Sequence, residues 1–160
     1  MIKLSLGKDP SRSILRMTLS AFAAGAMIVS RLCAAEPFSP VGLWKTFDDH
    51  SSKPRALVRV YEQDGRYFGR IDATLVPGEG DEVCEACEDE RKNQPIVGLV
   101  IMRNIRQSGA DYRDGDILDP ETGGVYGCEF HLDHDGSQMI VRGFIGLSLF
   151  GRSQTWVRAE

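Results

Sequence analysis

Beyond residue 36, apolar and polar positions alternate in short runs, and no window carries a sustained helical period. Ala56, Val58 and Val60 oppose Leu57, Arg59 and Tyr61, while Tyr126, Cys128, Phe130 and Leu132 oppose Gly127, Glu129 and His131. A period of two with one apolar face is the mark of a half-buried strand. Runs of this kind, each bounded by Gly, Pro, Asp or Asn, predict eight strands near residues 41–47, 55–62, 66–75, 96–105, 113–118, 125–132, 138–145 and 153–159. Gln63-Asp64-Gly65 is a hairpin signal, because Asp-Gly tolerates the positive φ that tight hairpin turns demand. Asp119-Pro120-Glu121-Thr122-Gly123-Gly124 and His134-Asp135-Gly136-Ser137 are two further turns. Strands joined by short turns are antiparallel neighbours, and eight of them can close into an up-and-down barrel with no free edge. A two-sheet β-sandwich is the alternative.

The densest apolar stretch, Arg142 to Trp156, is punctuated by Gly143, Gly146 and Gly151 and reads as a strand, a tight crossing and a closing strand. Together with Gly42-Leu43-Trp44, Gly98-Leu99-Val100-Ile101 and Gly115-Asp116-Ile117-Leu118-Asp119-Pro120, it resembles the bacterial family known as domain of unknown function 2147. The resemblance covers essentially all of the chain after residue 36. It implies a small exported barrel of lipocalin-like shape and brings no assigned reaction with it. Gly42-Leu43-Trp44 also matches the Gly-x-Trp opening of lipocalin-like barrels, in which the Trp packs at the closed end beneath a basic residue of the last strand. Arg158 is the first candidate for that residue and Arg152 the second; a guanidinium over an indole is worth about 0.5–2 kcal/mol. The same Trp44 also fits an ordinary place in a core.

The N-terminus changes the picture from fold to address. Lys3, Lys8, Arg12 and Arg16 precede the uncharged run Met17 to Ser30, and Ala34-Ala35 follows, the layout of a signal peptide cleaved after Ala35. The run is shorter than the ~20 residues of a permanent membrane helix. Arg31 is an unusual residue so near a cleavage site, and bulky Arg31 and Leu32 speak against lipid attachment at Cys33. Residues 1–35 are thus expected to be removed, leaving 36–160 as one barrel domain, exported to the periplasm where an outer membrane exists and secreted otherwise. The segment carries five cations and one anion, so its removal takes the net charge from −4 to −8. That balance argues against nucleic acid or an anionic membrane surface as partner.

Candidate chemistry concentrates in the insertion from Val76 to Pro95, where seven carboxylates surround Cys84-Glu85-Ala86-Cys87. In an oxidising compartment Cys84 and Cys87 are expected to form a local disulfide. A redox-active pair is disfavoured, since neighbouring carboxylates raise a thiol's pKa. Cys84, Cys87, Cys128 and His131 would suit tetrahedral zinc, but positions 128 and 131 of a regular strand point to opposite faces. Cys128 pairing with one of the loop cysteines is the remaining option. Asp111, Asp114, Asp116 and Asp119 fit no complete calcium loop and read as solvated turn residues. No Gly-x-Ser-x-Gly elbow, phosphate loop or His-Glu-x-x-His is present, and neither His131 nor His134 has an evident nucleophile beside it.

Arg142, Ser148, Arg152 and Gln154 are polar groups embedded in the closing region; they could line a ligand pocket or cap backbone groups at the barrel end. The leading expectation is therefore an exported module for a small, partly apolar ligand, with no cofactor; an enzyme or thiol-redox factor is a third reading, which no motif in the sequence supports. The alternative is a structural or protein-interaction factor of the envelope that uses the acidic loop as its docking surface.

Overall fold

The structure, a computed structural model, describes residues 38–160. The expected signal segment and its cleavage point after Ala35 lie outside those residues. The described chain is all-β: β1 (Gly42–Phe47), β2 (Pro54–Gln63), β3 (Arg66–Thr74), β4 (Val100–Ser108), β5 (Asp111–Leu118), β6 (Val125–Leu132), β7 (Gln138–Phe144) and β8 (Gly151–Arg158). Each strand pairs antiparallel with the next, and β8 closes on β1 through Trp44 opposite Arg158 and Lys45 opposite Val157, so the sheet is a closed barrel rather than a sandwich.

The turns divide the barrel into two unlike ends. At one end β2–β3, β4–β5 and β6–β7 are joined by tight turns, and both Phe38 and Glu160 lie there. Asp64 and Gly65 make the first of these turns with φ of 52° and 71°. Both central residues of a two-residue hairpin of the favoured twist need positive φ. At the other end lie the β1–β2, β3–β4, β5–β6 and β7–β8 loops, among them the 25-residue connection Leu75–Leu99. We call these the closed end and the loop end. Register shifts in the β1–β2, β2–β3, β3–β4 and β5–β6 ladders bend the strands. Such bulges supply the curvature that closure requires.

Alternation along each strand puts one set of side chains inside. Trp44, Val58, Val60, Met102, Ile105, Phe130, Met139 and Trp156 are all fully buried or nearly so. Tyr112 stacks on Phe130 with centroids 4.6 Å apart and meets Tyr67 edge-on at 5.0 Å. An eight-stranded barrel is just wide enough for side chains to fill, and this one is filled through its middle and closed end.

The expected bounds of β4 and β5 need correction. β4 runs 100–108 instead of 96–105, because Ile96–Leu99 form a turn in which Leu99 N–H donates to Ile96 C=O and Gly98 has φ of 97°. The polar tail Arg106-Gln107-Ser108 then continues the ladder against Asp111–Arg113, so β5 begins two residues earlier than its apolar pattern suggests. Backbone hydrogen bonds carry both extensions, and they leave no trace in the apolar periodicity. In the dense apolar stretch, the tight crossing between β7 and β8 leaves Ile145, Leu147, Leu149 and Phe150 exposed.

Candidate functional site

Trp44 faces the interior of β1 and Arg158 the same face of its neighbour β8. The Arg158 guanidinium carbon lies 4.2 Å from the centre of the indole. Its nitrogens donate to the carbonyls of Gly136 (2.7 Å), Ser39 (2.7 Å) and Val41 (3.2 Å), and the indole N–H donates to Pro40 C=O at 2.8 Å. One planar cation thus ties the entering chain and the β6–β7 turn over the Trp, using the fork geometry that Arg alone offers. Arg152, the second candidate for this position, sits at the opposite end of β8 and pairs with Asp49.

The loop end is covered differently. Cys84 and Cys87 are joined in a disulfide that is fully buried and packs into the main apolar core. The acidic loop Leu75–Leu99 therefore folds onto the barrel instead of projecting from it. Val83 bridges Pro95, Ile96 N–H donates to Glu82 C=O, and the backbone of Ala86 and Cys87 rests against Gly123 of the β5–β6 loop. Arg91 is the loop's buried cation: its Nε and Nη2 donate to the Asp89 carboxylate at 2.6–3.0 Å and its Nη1 to Val100 C=O at 3.3 Å. The hydrogen bonds from Arg91 hold the Asp89 carboxyl down at about 2. Arg103 on β4 adds ion pairs to Glu90 and Asp116. Arg55 at the start of β2 pairs with both Glu79 of the long loop and Glu121 of the β5–β6 loop, a clasp between elements on different sides of the mouth.

The four polar residues of the closing region separate into two pairs. Arg142 faces outward opposite Glu129, and its Nε and Nη2 donate to the carbonyls of Ser148 (2.7 Å) and Leu149 (3.3 Å) while Nη1 donates to Ser153 Oγ. Ser148 enters this arrangement through its backbone. Arg152 and Gln154 lie on the opposite, inward register of β8, across from Gly143 and Val141. Gln154 Oε1 accepts from the indole N–H of Trp156 at 3.1 Å. Tyr126, half-buried and inward-facing on β6, turns its hydroxyl toward Gly124 at the mouth. Tyr126 and Gln154 therefore lie on the inward register at the loop end, and Arg152, on the same register, is largely exposed at the rim with its guanidinium on Asp49. The sequence marked the last two; Tyr126 was legible only as an alternating aromatic.

The remaining candidates do not converge. Cys128 is a free, buried thiol inside the barrel, and burial pushes it up to about 12, so no reactive thiolate forms at neutral pH. His131 is exposed on the other face of β6. Cys84, Cys87, Cys128 and His131 are thus not brought together, and no other His, Cys, Asp or Glu cluster able to hold a metal occurs among the described residues. Asp111, Asp114 and Asp116 pair with Arg113, Arg106 and Arg103, and Asp119 accepts bonds within its own turn. Two open depressions, of ≈ 430 Å³ between Phe38, Gly136 and Arg158 and ≈ 330 Å³ between Arg91, Gln94 and Arg103, lie on the outside of the molecule.

The family model described as "Uncharacterized protein conserved in bacteria (DUF2147)" matches residues 42–158, the whole barrel from β1 to β8. Among solved structures, the chain is similar to one titled "Protein HP1028 from the human pathogen Helicobacter pylori belongs to the lipocalin family". The TM-score is 0.67 at 15% identity, covering 76% of this chain and 84% of that one, a likeness of fold. No curated protein matches the sequence.

Proposed function

We propose, for a chain that belongs to the DUF2147 family and folds as a lipocalin-like barrel, the role of an exported binding module that takes a small, partly apolar ligand at its loop end. The observation that carries this reading is the contrast between the two ends. The closed end is sealed by a buried Trp under a fully engaged Arg. The loop end is bordered by the stapled β3–β4 loop, and the pairs of Arg55 with Glu79 and Glu121, partly exposed to solvent, form a clasp at its rim. Exposed ion pairs contribute little stability, so the clasp itself yields at low cost, while the buried disulfide and Arg91 keep the rest of the loop packed on the barrel. There the interior walls offer Ile117 and Tyr126 as apolar surface and Gln154 and the Tyr126 hydroxyl as polar anchors, with Arg152 at the rim, the mixture that ligand sites use. Because the barrel's middle is filled, the ligand is a small one held near the mouth.

The test is titration of the mature protein with the apolar fluorophore N-phenyl-1-naphthylamine. Saturable enhancement is expected, with at least tenfold weaker binding in Tyr126→Ala and in Gln154→Leu, variants whose retained far-ultraviolet spectrum would show an intact barrel. Unsaturable binding, or equal affinity in both variants, would remove the site.

A specific observation also favours the second reading, an envelope protein-interaction factor. The stapled loop presents Asp81, Glu82, Glu85, Glu88 and Glu90 outward on an ordered backbone, a surface suited to a basic protein partner.

A further inference from the structure

The filled interior ends at a definite depth. From the closed end outward, the inward residues of β7 are Met139 and Val141, 0% and 3% exposed, and then Gly143, which is half-buried. On β6 the sequence runs from buried Phe130 and Cys128 to half-buried Tyr126, and on β8 from buried Trp156 to half-buried Gln154. Ile117, paired with Tyr126 across β5 and β6, is half-buried as well. Solvent thus reaches the inward wall around Gly143. Glycine inside a strand weakens it, so a glycine there has a reason. At Gly115 and Gly151 the reason is steric, because a Cβ would run into the carbonyl oxygens of Arg103 and Gly143. Gly143 is under no such constraint. Its φ lies outside the left-handed region, and a Cβ would meet only Ile117 Cγ2 at 3.6 Å and Tyr126 Cβ at 3.8 Å, ordinary contact distances. Neither the backbone nor the neighbours exclude a side chain, so what the glycine supplies is open space.

We propose that Gly143 is the floor of the loop-end site and sets the size and polarity of what it takes: a molecule whose apolar end lies on the Gly143 backbone beside Ile117 and Tyr126, and which presents a hydrogen-bond acceptor to Gln154. The wall next to the floor fixes the polarity. The Trp156 indole N–H can only donate, so the Gln154 amide turns its oxygen toward it, at 3.1 Å, and leaves Nε2 without a partner among the described residues. Gln154 pairs with Val141 and Arg152 with Gly143, which puts this amide one residue pair deeper than Gly143 on the neighbouring strand, beside the floor. A half-buried donor that a ligand covers must be matched, since an unmatched one costs affinity; a carbonyl, ether or carboxylate oxygen matches it. The missing side chain fixes the size. A methyl at position 143 would fill the space in which the ligand's apolar end makes its contacts, and an interior wall gives way little to added atoms.

This inference rests on the ligand reading and narrows it, and its test separates the two. Titration with N-phenyl-1-naphthylamine should show at least fivefold weaker binding in Gly143→Ala and no saturable binding in Gly143→Val. The urea midpoint of Gly143→Ala should meanwhile rise above that of the unaltered protein, because alanine in place of glycine, where the backbone and the neighbours accept it, restricts the unfolded chain. 1-Acetonaphthone should displace the fluorophore at a concentration at least tenfold lower than 1-isopropylnaphthalene, which carries a methyl in place of the oxygen, and Gln154→Leu should remove that preference. A Gly143→Ala variant that binds like its parent, or that is less stable than it, overturns the floor, while weaker binding in Tyr126→Ala would still uphold the site. Equal displacement by the two naphthalenes overturns the acceptor. No saturable binding by the unaltered protein overturns the ligand reading itself, and this inference with it.

Discussion

Arg158 holds the closed end through one indole face and three backbone carbonyls, and both kinds of contact enter the cost of losing it. Arg158→Ala should destabilise by about 2 kcal/mol, since the cation–π contact goes and carbonyls lose a charged donor. Trp44→Ala should cost about 3–5 kcal/mol, through the cavity left by a fully buried indole. Urea denaturation followed by Trp156 fluorescence measures both, and a Trp44→Ala cost below 1 kcal/mol would show that the indole is not a core residue. Cys128 makes a second residue-scale prediction. Native protein at pH 8 should show no thiol reactive toward a disulfide reagent, and unfolded protein one per mature chain. Three thiols after unfolding would refute the Cys84–Cys87 bridge. Of these residues, Trp44, Arg158 and the cysteine pair were legible in the sequence because position alone suggested their partners: the first strand, the last strand and a two-residue gap. Arg91 and Arg55 were not, since their roles depend on where a long loop comes to rest, and nothing local encodes that.

At the scale of elements, the strands were legible nearly to the residue wherever one face is buried, as in β2 and β6, and blurred where backbone pairing outlasts the core, as at Arg106–Ser108. The acidic loop was visible as an insertion but not as a lid, because seven carboxylates conceal two buried half-cystines and one buried guanidinium. The β7–β8 loop misled in the opposite sense: its composition is that of a core, but its place is a surface. The lid has its own pH signature. Asp89 is held at about 2 against an ordinary 3.8, by the hydrogen bonds from Arg91 above all. A carboxyl depressed in the folded state contributes stability that is whole above about pH 4 and lost as pH falls toward 2. Hydrogen-exchange protection in residues 75–99 should therefore be constant from pH 7 to 5 and fall between pH 4 and 2, ahead of the barrel strands. Asp89→Asn should lower that protection at pH 7 and abolish its acid dependence; an unchanged profile would separate Asp89 from the lid. The Cys84→Ala/Cys87→Ala variant should keep the barrel's near-ultraviolet spectrum while releasing the lid, because so short a cross-linked loop gains little chain entropy.

For the whole molecule, a barrel sealed at one end and filled through its middle leaves the loop end, beside the Arg55 clasp, as the side at which the proposed ligand would enter. Breaking the clasp by Arg55→Ala should speed ligand association severalfold with little loss of stability, as stopped-flow mixing with N-phenyl-1-naphthylamine would record. The address is a whole-molecule property too: protein recovered from the producing cell should begin at or near Glu36, and an intact Met1 in a membrane fraction would contradict export. The central claim is that the loop end holds a small, partly apolar molecule in the compartment where the protein works. Native mass spectrometry of mature protein, purified without denaturant from that compartment, tests it most directly. The account predicts a discrete non-covalent adduct of small mass that is lost on unfolding and diminished in Tyr126→Ala; the bare mass of the chain in every preparation would contradict it.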